Sequence, residues 1–315
     1  MIGSNPLTVR FRGVRGSVPS PARENIRYGG NTSCVEVRCG DQLLILDAGS
    51  GIRCLGDDLA KEFGPRPIAA DLLVSHTHWD HIQGLPFFTP AYSPHNRIRI
   101  IAPNGHATAL EQALRNQMSP LHFPVSFEQM LGIVGISDPI SDHVDLGNFS
   151  IHVTSLNHPG DCAGFRLEAS GAAIGYLPDH EPYSGNGKEP FSAVEPRRKA
   201  LVEFVRDLDL LILDTQYTDE EYQNRVGWGH GFLSASVALA VEAGVRRLAL
   251  FHHDPSHPDD QIDQMIETAR TLAGNTILTI HAAAENEIIT LGGTISPAIK
   301  SNLRNLPKVA ALRTV

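Results

Sequence analysis

Residues 75–81 constrain this chain more than any other stretch, because they bring three histidines and one aspartate into a six-residue span. They directly follow an apolar run that is typical of a buried strand. Imidazole and carboxylate groups suit zinc, iron or manganese, and residues two apart at a strand end point the same way. His76 and His78 can therefore hold one ion, while Asp80 and His81, past the strand end, can turn toward a second. The spacing H-x-H-x-D-H predicts a metal site.

Composition narrows the class of protein that can carry such a site. The chain has 315 residues, of which 42% are hydrophobic and 19% charged, enough for one large core or two modest ones. Its formal net charge of −9 argues against long nucleic acid as the main partner, since phosphate backbones are bound by basic faces. We expect a small anionic substrate instead.

The chain shows no sign of a membrane or an oxidising compartment. No apolar run approaches the length of a membrane span, and the first residues contain no apolar core of a signal peptide. The four cysteines lack C-x-x-C or metal-finger spacing, which is typical of reduced residues in a core. We therefore predict a cytoplasmic protein without a membrane partner.

Strands and helices interleave along the chain, which predicts an α/β fold with ligands at strand ends. Helical spacing predicts helices at 52–63, 104–118, 194–206, 234–243 (capped by Ser234) and 258–272. Apolar runs and alternation predict strands at 7–11, 34–38, 43–46, 71–74, 97–102, 143–145, 149–155, 163–168, 172–176, 208–213, 246–251, 276–280 and 287–291. Residues 1–292 are expected to form one domain, and 293–315 a tail that is either mobile or an oligomer arm.

Further potential ligands follow several of these strands. His158 and Asp179 each stand where a strand gives way to a turn, and the strand at 246–251 runs into His252 and His253. Asp214 also ends a strand, where it is expected to support its neighbours. The recurrence indicates that these side chains collect at one edge of the fold.

A long Gly/Pro-rich loop at 13–33 is open to two interpretations. It is either a plain surface connection or a rim of the active site, because long ordered loops often carry function. In the second case Arg15, Arg23 and Arg27 would meet an anion.

The H-x-H-x-D-H motif, followed by a strand-end histidine, a strand-end aspartate and a late histidine, resembles the metallo-β-lactamase-fold hydrolases over about residues 7–291. The resemblance implies an αββα sandwich with a two-metal site at the edge of its two sheets. It also implies that His76, His78 and His158 hold one ion, that Asp80, His81 and the late histidine hold the other, and that Asp179 bridges both. Residues 248–252 are similar to the branch in which the ligand comes first after the strand, which favours His252 over His253.

The stretch 229–234, with its small-residue helix, resembles the ribonuclease Z-like phosphodiesterase branch, as do 28–33 and 47–51. In that branch a histidine at the position of His230 donates a proton; the alternative is a loop histidine flanked by glycines for flexibility. Asp80 and His230 are the expected catalytic residues. Only twenty residues separate His158 from Asp179, too few for a long tRNA-gripping arm, so a small phosphodiester such as a cyclic nucleotide is expected.

Two divalent ions carry +4 against about −3 from Asp80, Asp179 and a bridging hydroxide, so the centre would attract an anion. Two such ions would lower the pKa of water toward ~7 and clamp the attacking and leaving oxygens, so that the metal-bridging hydroxide attacks phosphorus. His230 would then protonate the leaving alkoxide. Zinc is the expected metal, with manganese or iron as alternatives.

Other functions remain open at this point. The same centre would serve an acyl hydrolase acting on a lactone or thioester, and loss of His230 would then matter little. An iron site for oxygen or persulfide chemistry and a non-catalytic metal-binding module are further alternatives. A homodimer is the expected oligomeric state.

Overall fold

The computed structural model describes residues 5–103, 105–138, 142–183 and 190–292. Within them the chain forms two seven-stranded sheets, ordered β14-β1-β2-β3-β4-β5-β6 and β13-β12-β11-β10-β9-β8-β7. The strands are β1 (Leu7–Gly13), β2 (Cys34–Cys39), β3 (Gln42–Leu46), β4 (Ala69–Leu73), β5 (Arg97–Ile101), β6 (Ile133–Ser137), β7 (His143–Leu146), β8 (Phe149–Ser155), β9 (Ala163–Ala169), β10 (Ala172–Leu177), β11 (Leu210–Asp214), β12 (Arg247–Phe251), β13 (Thr279–Ala282) and β14 (Ile288–Leu291). The helices are α1 (Gly51–Phe63), α2 (Trp79–Ile82), α3 (Ala107–Gln117), α4 (Phe191–Phe204), α5 (Asp219–Tyr222), α6 (Leu233–Glu242) and α7 (Asp259–Ala273).

Alternation along the strands builds three apolar layers. In β3, Leu44 and Leu46 face the core between the sheets, while Leu43 and Ile45 face the opposite way, toward α1 and α3. In the second sheet β11 alternates likewise, with its other face covered by α4, α6 and α7. The rings of Phe11 and Phe251 meet across the sheets at 6.3 Å between centroids. The expected αββα sandwich is therefore confirmed.

The sheet topology places the candidate ligands at one edge. Strands β3 to β6 run parallel in the first sheet, and β10 to β13 run parallel in the second. Because the carboxyl ends of parallel strands lie at the same edge of a sheet, the residues that follow β3, β4, β10, β11 and β12 come together. Among the described residues, no helix has both the length and the apolar composition needed to cross a membrane.

Some local predictions were wrong. Strand β6 was not predicted, because Ile133–Ser137 is a half-exposed edge strand with a weak apolar pattern. Ser234 does not cap α6: the helix begins at Leu233 after Phe232, and Ser234 donates its backbone and hydroxyl hydrogens to Asp219. The predicted tail at 293–315 lies outside the described residues.

Candidate metal centre

Side chains from five strand ends and one hairpin meet at the edge between the two sheets. All seven predicted metal ligands lie there, and their ligand atoms form two groups that share one carboxylate. The outer site consists of His76, His78 and His158 with Asp179, and the inner site consists of Asp80, His81 and His252 with Asp179. Their role as ligands stays a prediction.

In the outer site three imidazoles converge on one oxygen of Asp179. The Nε2 atoms of His76 and His158 each lie 3.6 Å from Asp179 Oδ2. His158 Nε2 also lies 2.9 Å from His78 Nδ1. His78 is exposed, so this site opens to solvent on one side.

The inner site uses the other oxygen of Asp179. His81 Nε2 lies 3.0 Å from Asp179 Oδ1 and 3.2 Å from Asp80 Oδ2. His252 Nε2 lies 3.0 Å from Asp80 Oδ2. All four side chains of this site are buried. Asp179 thus offers one oxygen to each group, as a bridging ligand would.

Several buried polar atoms in these groups have no partner in hydrogen-bonding geometry, although His81 Nε2 and Asp179 Oδ1 lie 3.0 Å apart. They are His76 Nε2, His81 Nε2 and Asp179 Oδ1. A buried polar atom without a partner costs about 1–3 kcal/mol, so such atoms usually serve a ligand or ion. Divalent cations bound by imidazole and carboxylate would satisfy all three. The residues present therefore fit a pair of metal ions.

The pKa shifts of the histidines also favour bound cations. Burial lowers the pKa of His76 well below its usual value, and it also lowers the pKa of His158, so both rings are neutral and able to bind a cation. Burial would lower the pKa of His252 too, but Asp179 and Asp80 outweigh it and raise this pKa to about 9. The inner carboxylates therefore stabilise positive charge, which a metal ion would supply in place of the proton.

Hydrogen bonds from neighbouring side chains orient the two histidines of the inner site. His81 Nδ1 lies 2.8 Å from Asp47 Oδ2, and Asp47 also accepts hydrogen bonds from the Ser75 backbone and hydroxyl and from the Tyr176 hydroxyl. His252 Nδ1 lies 3.0 Å from Gln216 Oε1. Such hydrogen bonds fix the ring orientation of a metal-binding histidine.

Backbone strain at the inner site points to function as well. Both Asp47 and His252 have a φ of 59°, a conformation that costs non-glycine residues about 1–3 kcal/mol. The backbone N–H of Ser17 donates to Asp80 Oδ2 at 2.8 Å. The loop at 13–33 thus reaches the inner site through its backbone.

In the outer site the hydrogen-bond partners of the histidines are a loop carbonyl and a hydroxyl, in place of the carboxylate and amide side chains of the inner site. His158 Nδ1 donates to the carbonyl of Gly229 at 2.8 Å, and His76 Nδ1 lies 3.1 Å from the Ser75 hydroxyl. The loop that contains Gly229 is itself held by Glu181, whose carboxylate accepts the backbone N–H groups of Gly227 and Gly229 at 2.7 and 3.1 Å. Sequence reasoning missed Glu181, although its place two residues after Asp179 could have signalled it.

His230, the predicted proton donor, lies beside the inner site. Its Nδ1 is 3.0 Å from Asp214 Oδ2, and its ring stacks on that of His252 at 4.9 Å. Asp214, His230 and His252 also form a third potential metal-binding group. We interpret the first two as a hydrogen-bonded pair, because Asp214 Oδ2 already accepts the backbone N–H of His180.

Two choices left open by the sequence can be compared with the geometry. His252 enters the inner site, whereas His253 Nε2 donates to the carbonyl of Ala283 at 2.9 Å.

Arg15 is buried and donates to backbone carbonyls of Gly29, Asp254 and His257. Arg27 is paired with carboxylates of α7. The expectation that Arg15 and Arg27 meet an anion was wrong, because Arg15 is fully buried against backbone carbonyls and Arg27 is paired with carboxylates of α7.

Comparisons with known proteins agree with this architecture. Residues 44–253 match the family model described as a β-lactamase superfamily domain. Ribonuclease Z of Thermoplasma acidophilum is 26% identical over 84% of this chain and 91% of its own length, and ribonuclease Z of Lactococcus lactis is 24% identical over 86% and 97%.

Solved structures show the same fold. The metallo-β-lactamase fold protein YhfI of Bacillus subtilis has a TM-score of 0.64 and 21% identity, covering 91% of this chain and all of its own. The short form of human tRNase Z has a TM-score of 0.59 and 19% identity, covering 90% and 98%. The chain therefore belongs to the metallo-β-lactamase superfamily, as a metal-dependent hydrolase of its ribonuclease Z-like branch.

Proposed function

We propose that this protein is a phosphodiesterase that cleaves a small phosphodiester with the help of two divalent ions, which we expect to be Zn²⁺. One observation carries the proposal: two ligand groups share Asp179 beside the His230–Asp214 pair. When bound, paired ions of this kind supply an activated water near neutral pH and neutralise the charge of a phosphate. The relationship to ribonuclease Z supports phosphorus rather than carbon as the centre of attack.

His230 is the residue we expect to protonate the leaving group. Its Nδ1 is engaged by Asp214, which leaves Nε2 as the ring nitrogen that can donate a proton. Asp214 is fully buried and receives further hydrogen bonds from the backbone of His180 and Gln216, so the pair has a fixed orientation. A positioned general acid contributes about 10²–10⁴ in rate.

The size of the expected substrate follows from the chain between two ligands. The interval from His158 to Asp179 is filled by the β9–β10 hairpin, which turns at Ser170 and Gly171. It therefore contains no inserted arm for gripping a long RNA. The formal net charge of −9 also favours a small phosphodiester over a polynucleotide.

A direct test compares turnover of bis-p-nitrophenyl phosphate, p-nitrophenyl acetate and a lactone on protein whose metal content has been measured. We expect diester turnover by protein that contains about two zinc ions per chain. The Asp80→Ala variant serves as the blank. Acyl turnover without diester turnover would instead establish the acyl hydrolase alternative. Iron in place of zinc would redirect the proposal to oxygen or persulfide chemistry.

The role of His230 has its own test, because a proton donor matters most for a poor leaving group. For His230→Ala we expect a loss of about 10²–10⁴ with an alkyl diester and a far smaller loss with a p-nitrophenyl diester. Equal losses with both leaving groups would rule out proton donation by His230. Unchanged metal content in the variant is the control.

A further inference from the structure

Both tryptophans of the chain are exposed next to the metal centre. The sequence contains two, Trp79 and Trp228, and their exposed fractions are 72% and 61%. Tryptophan is usually well buried, because its large apolar surface gains much from leaving water. Two exposed indoles next to the metal centre therefore indicate a ligand-binding surface.

The two indoles belong to segments that meet at the outer site. Trp79 stands between His78 and Asp80, and Trp228 precedes Gly229, whose carbonyl accepts a hydrogen bond from His158. His78 and His158 are in direct contact, with 2.9 Å between their nearest nitrogens. A substrate at the outer site is thus flanked by both tryptophan-bearing segments.

Each indole stands on a fixed backbone. Trp79 begins α2, whose following residues, Asp80 and His81, are hydrogen-bonded to the Ser17 backbone and to Asp47. Trp228 lies between the two glycines whose N–H groups bind Glu181. The backbone that carries each indole is therefore preorganised, which lowers the entropy cost of binding a ligand there.

Neither indole has an aromatic or cationic partner among the residues that the structure describes. Phe87 and Phe123, by comparison, are paired edge to face at 5.4 Å. Since aromatic rings gain from stacking, open indole faces beside a phosphate-binding centre suit a planar ring attached to that phosphate.

We propose that Trp79 and Trp228 stack on a planar aromatic ring of the substrate, so that the protein selects phosphodiesters carrying a nucleobase. This inference rests on the proposed phosphodiesterase function and names its specificity-determining residues. Base stacking on one aromatic side chain changes affinity by about tenfold or somewhat more.

The test measures how much a base adds to binding. AMP and ribose 5-phosphate carry the same phosphate and sugar, and each is used to inhibit turnover of methyl p-nitrophenyl phosphate by the metal-loaded enzyme. We expect wild-type protein to prefer AMP by about tenfold or more, Trp79→Leu and Trp228→Leu each to reduce that preference, and the double variant to lose it. A preference that persists in the double variant, or its absence from wild type, would overturn the proposal.

Ile277→Ala is the matched control. Ile277 is 81% exposed and precedes β13, at the end of the sheet opposite the metal centre. Removing an exposed apolar side chain there is expected to leave the preference for AMP unchanged. A loss equal to that of the tryptophan variants would mean that nonspecific surface effects cause both.

Tryptophan fluorescence gives a second readout that needs no turnover. Each single variant retains one indole, so quenching by AMP can be followed separately at Trp79 and Trp228. We expect quenching of both by AMP and little by ribose 5-phosphate. If no phosphodiester is hydrolysed, the proposed function fails, and the quenching alone then decides whether the indoles bind a base.

Discussion

The two halves of the metal centre differ in how firmly their ligands are held. In the inner site every side chain is buried, and the histidine rings are hydrogen-bonded to Asp47 and Gln216. In the outer site His78 is exposed, and the hydrogen-bond partner of His158 is a loop carbonyl. We infer that the inner site holds its ion more firmly, while the outer site, which is open to solvent at His78, exchanges its ion more readily.

The largest effect is expected from removing the Asp179 carboxylate, which belongs to both sites. Asp179→Ala deletes one ligand oxygen from each site and leaves buried histidines without their common partner. We expect metal content to fall from about two ions to below one per chain, and turnover to fall to the Asp80→Ala blank. A variant in which the affinity of only one ion falls, or of neither, would contradict a shared bridging carboxylate.

A narrower change affects only the inner half. Asp47→Asn weakens the group that orients His81, and such changes typically cost about 10–100-fold in metal affinity. Titration in metal-buffered solution should show one ion weakened and the other unaffected. Tyr176→Phe is the control, since it removes one hydrogen bond to Asp47 and leaves Ser75 and His81 in place. An equal effect on both ions would mean that the halves are not independent.

Two glycines provide matched steric probes of the two halves. A Cβ at Gly16 would lie 2.4 Å from His252 Nδ1, and one at Gly229 would lie 2.5 Å from His158 Nδ1. Gly229 also has a φ of +89°, which strains any other residue. We expect Gly16→Ala to weaken the inner ion and Gly229→Ala the outer ion, each by about tenfold. The same ion weakened by both variants would count against the assignment.

The smallest expected effect is on the rate of metal release, and its test leaves all the predicted metal-binding side chains in place. A chelator should remove metal from wild-type protein in two phases, the faster from the outer site. Glu181→Ala frees the 227–229 backbone that supports His158, so it should accelerate the fast phase by several-fold and leave the slow phase unchanged. A single phase in wild type would remove the basis for the comparison.

The sequence predicts which side chains gather in the two groups far better than it predicts the residues that hold them in place. His76, His78, Asp80 and His81 are recognisable because their spacing is local, and Asp179 and His252 because each directly follows an apolar strand. Their supports come from distant parts of the chain or from the backbone. The Ser17 N–H that binds Asp80 has no residue-type signal at all.

Errors elsewhere have the same physical origin. An arginine in a polar loop looks available to an anion, and only the fold brings the carbonyls of Asp254 and His257 to Arg15. Edge strand β6 lacks the apolar alternation that burial on one face imposes, so pattern alone misses it. Local spacing therefore predicts chemistry, while long-range pairing determines its geometry.

The pairing of the first and last strands has a practical consequence. Leu7 is the register partner of Leu291, and β1 leads away from this pair toward Gly16 and the metal centre. The two ends of the sandwich therefore lie side by side, far from the reacting groups. A short linker from Leu291 to Leu7 would close the domain into a ring, and a tether at that edge would hold the protein on a surface with its active site facing solution.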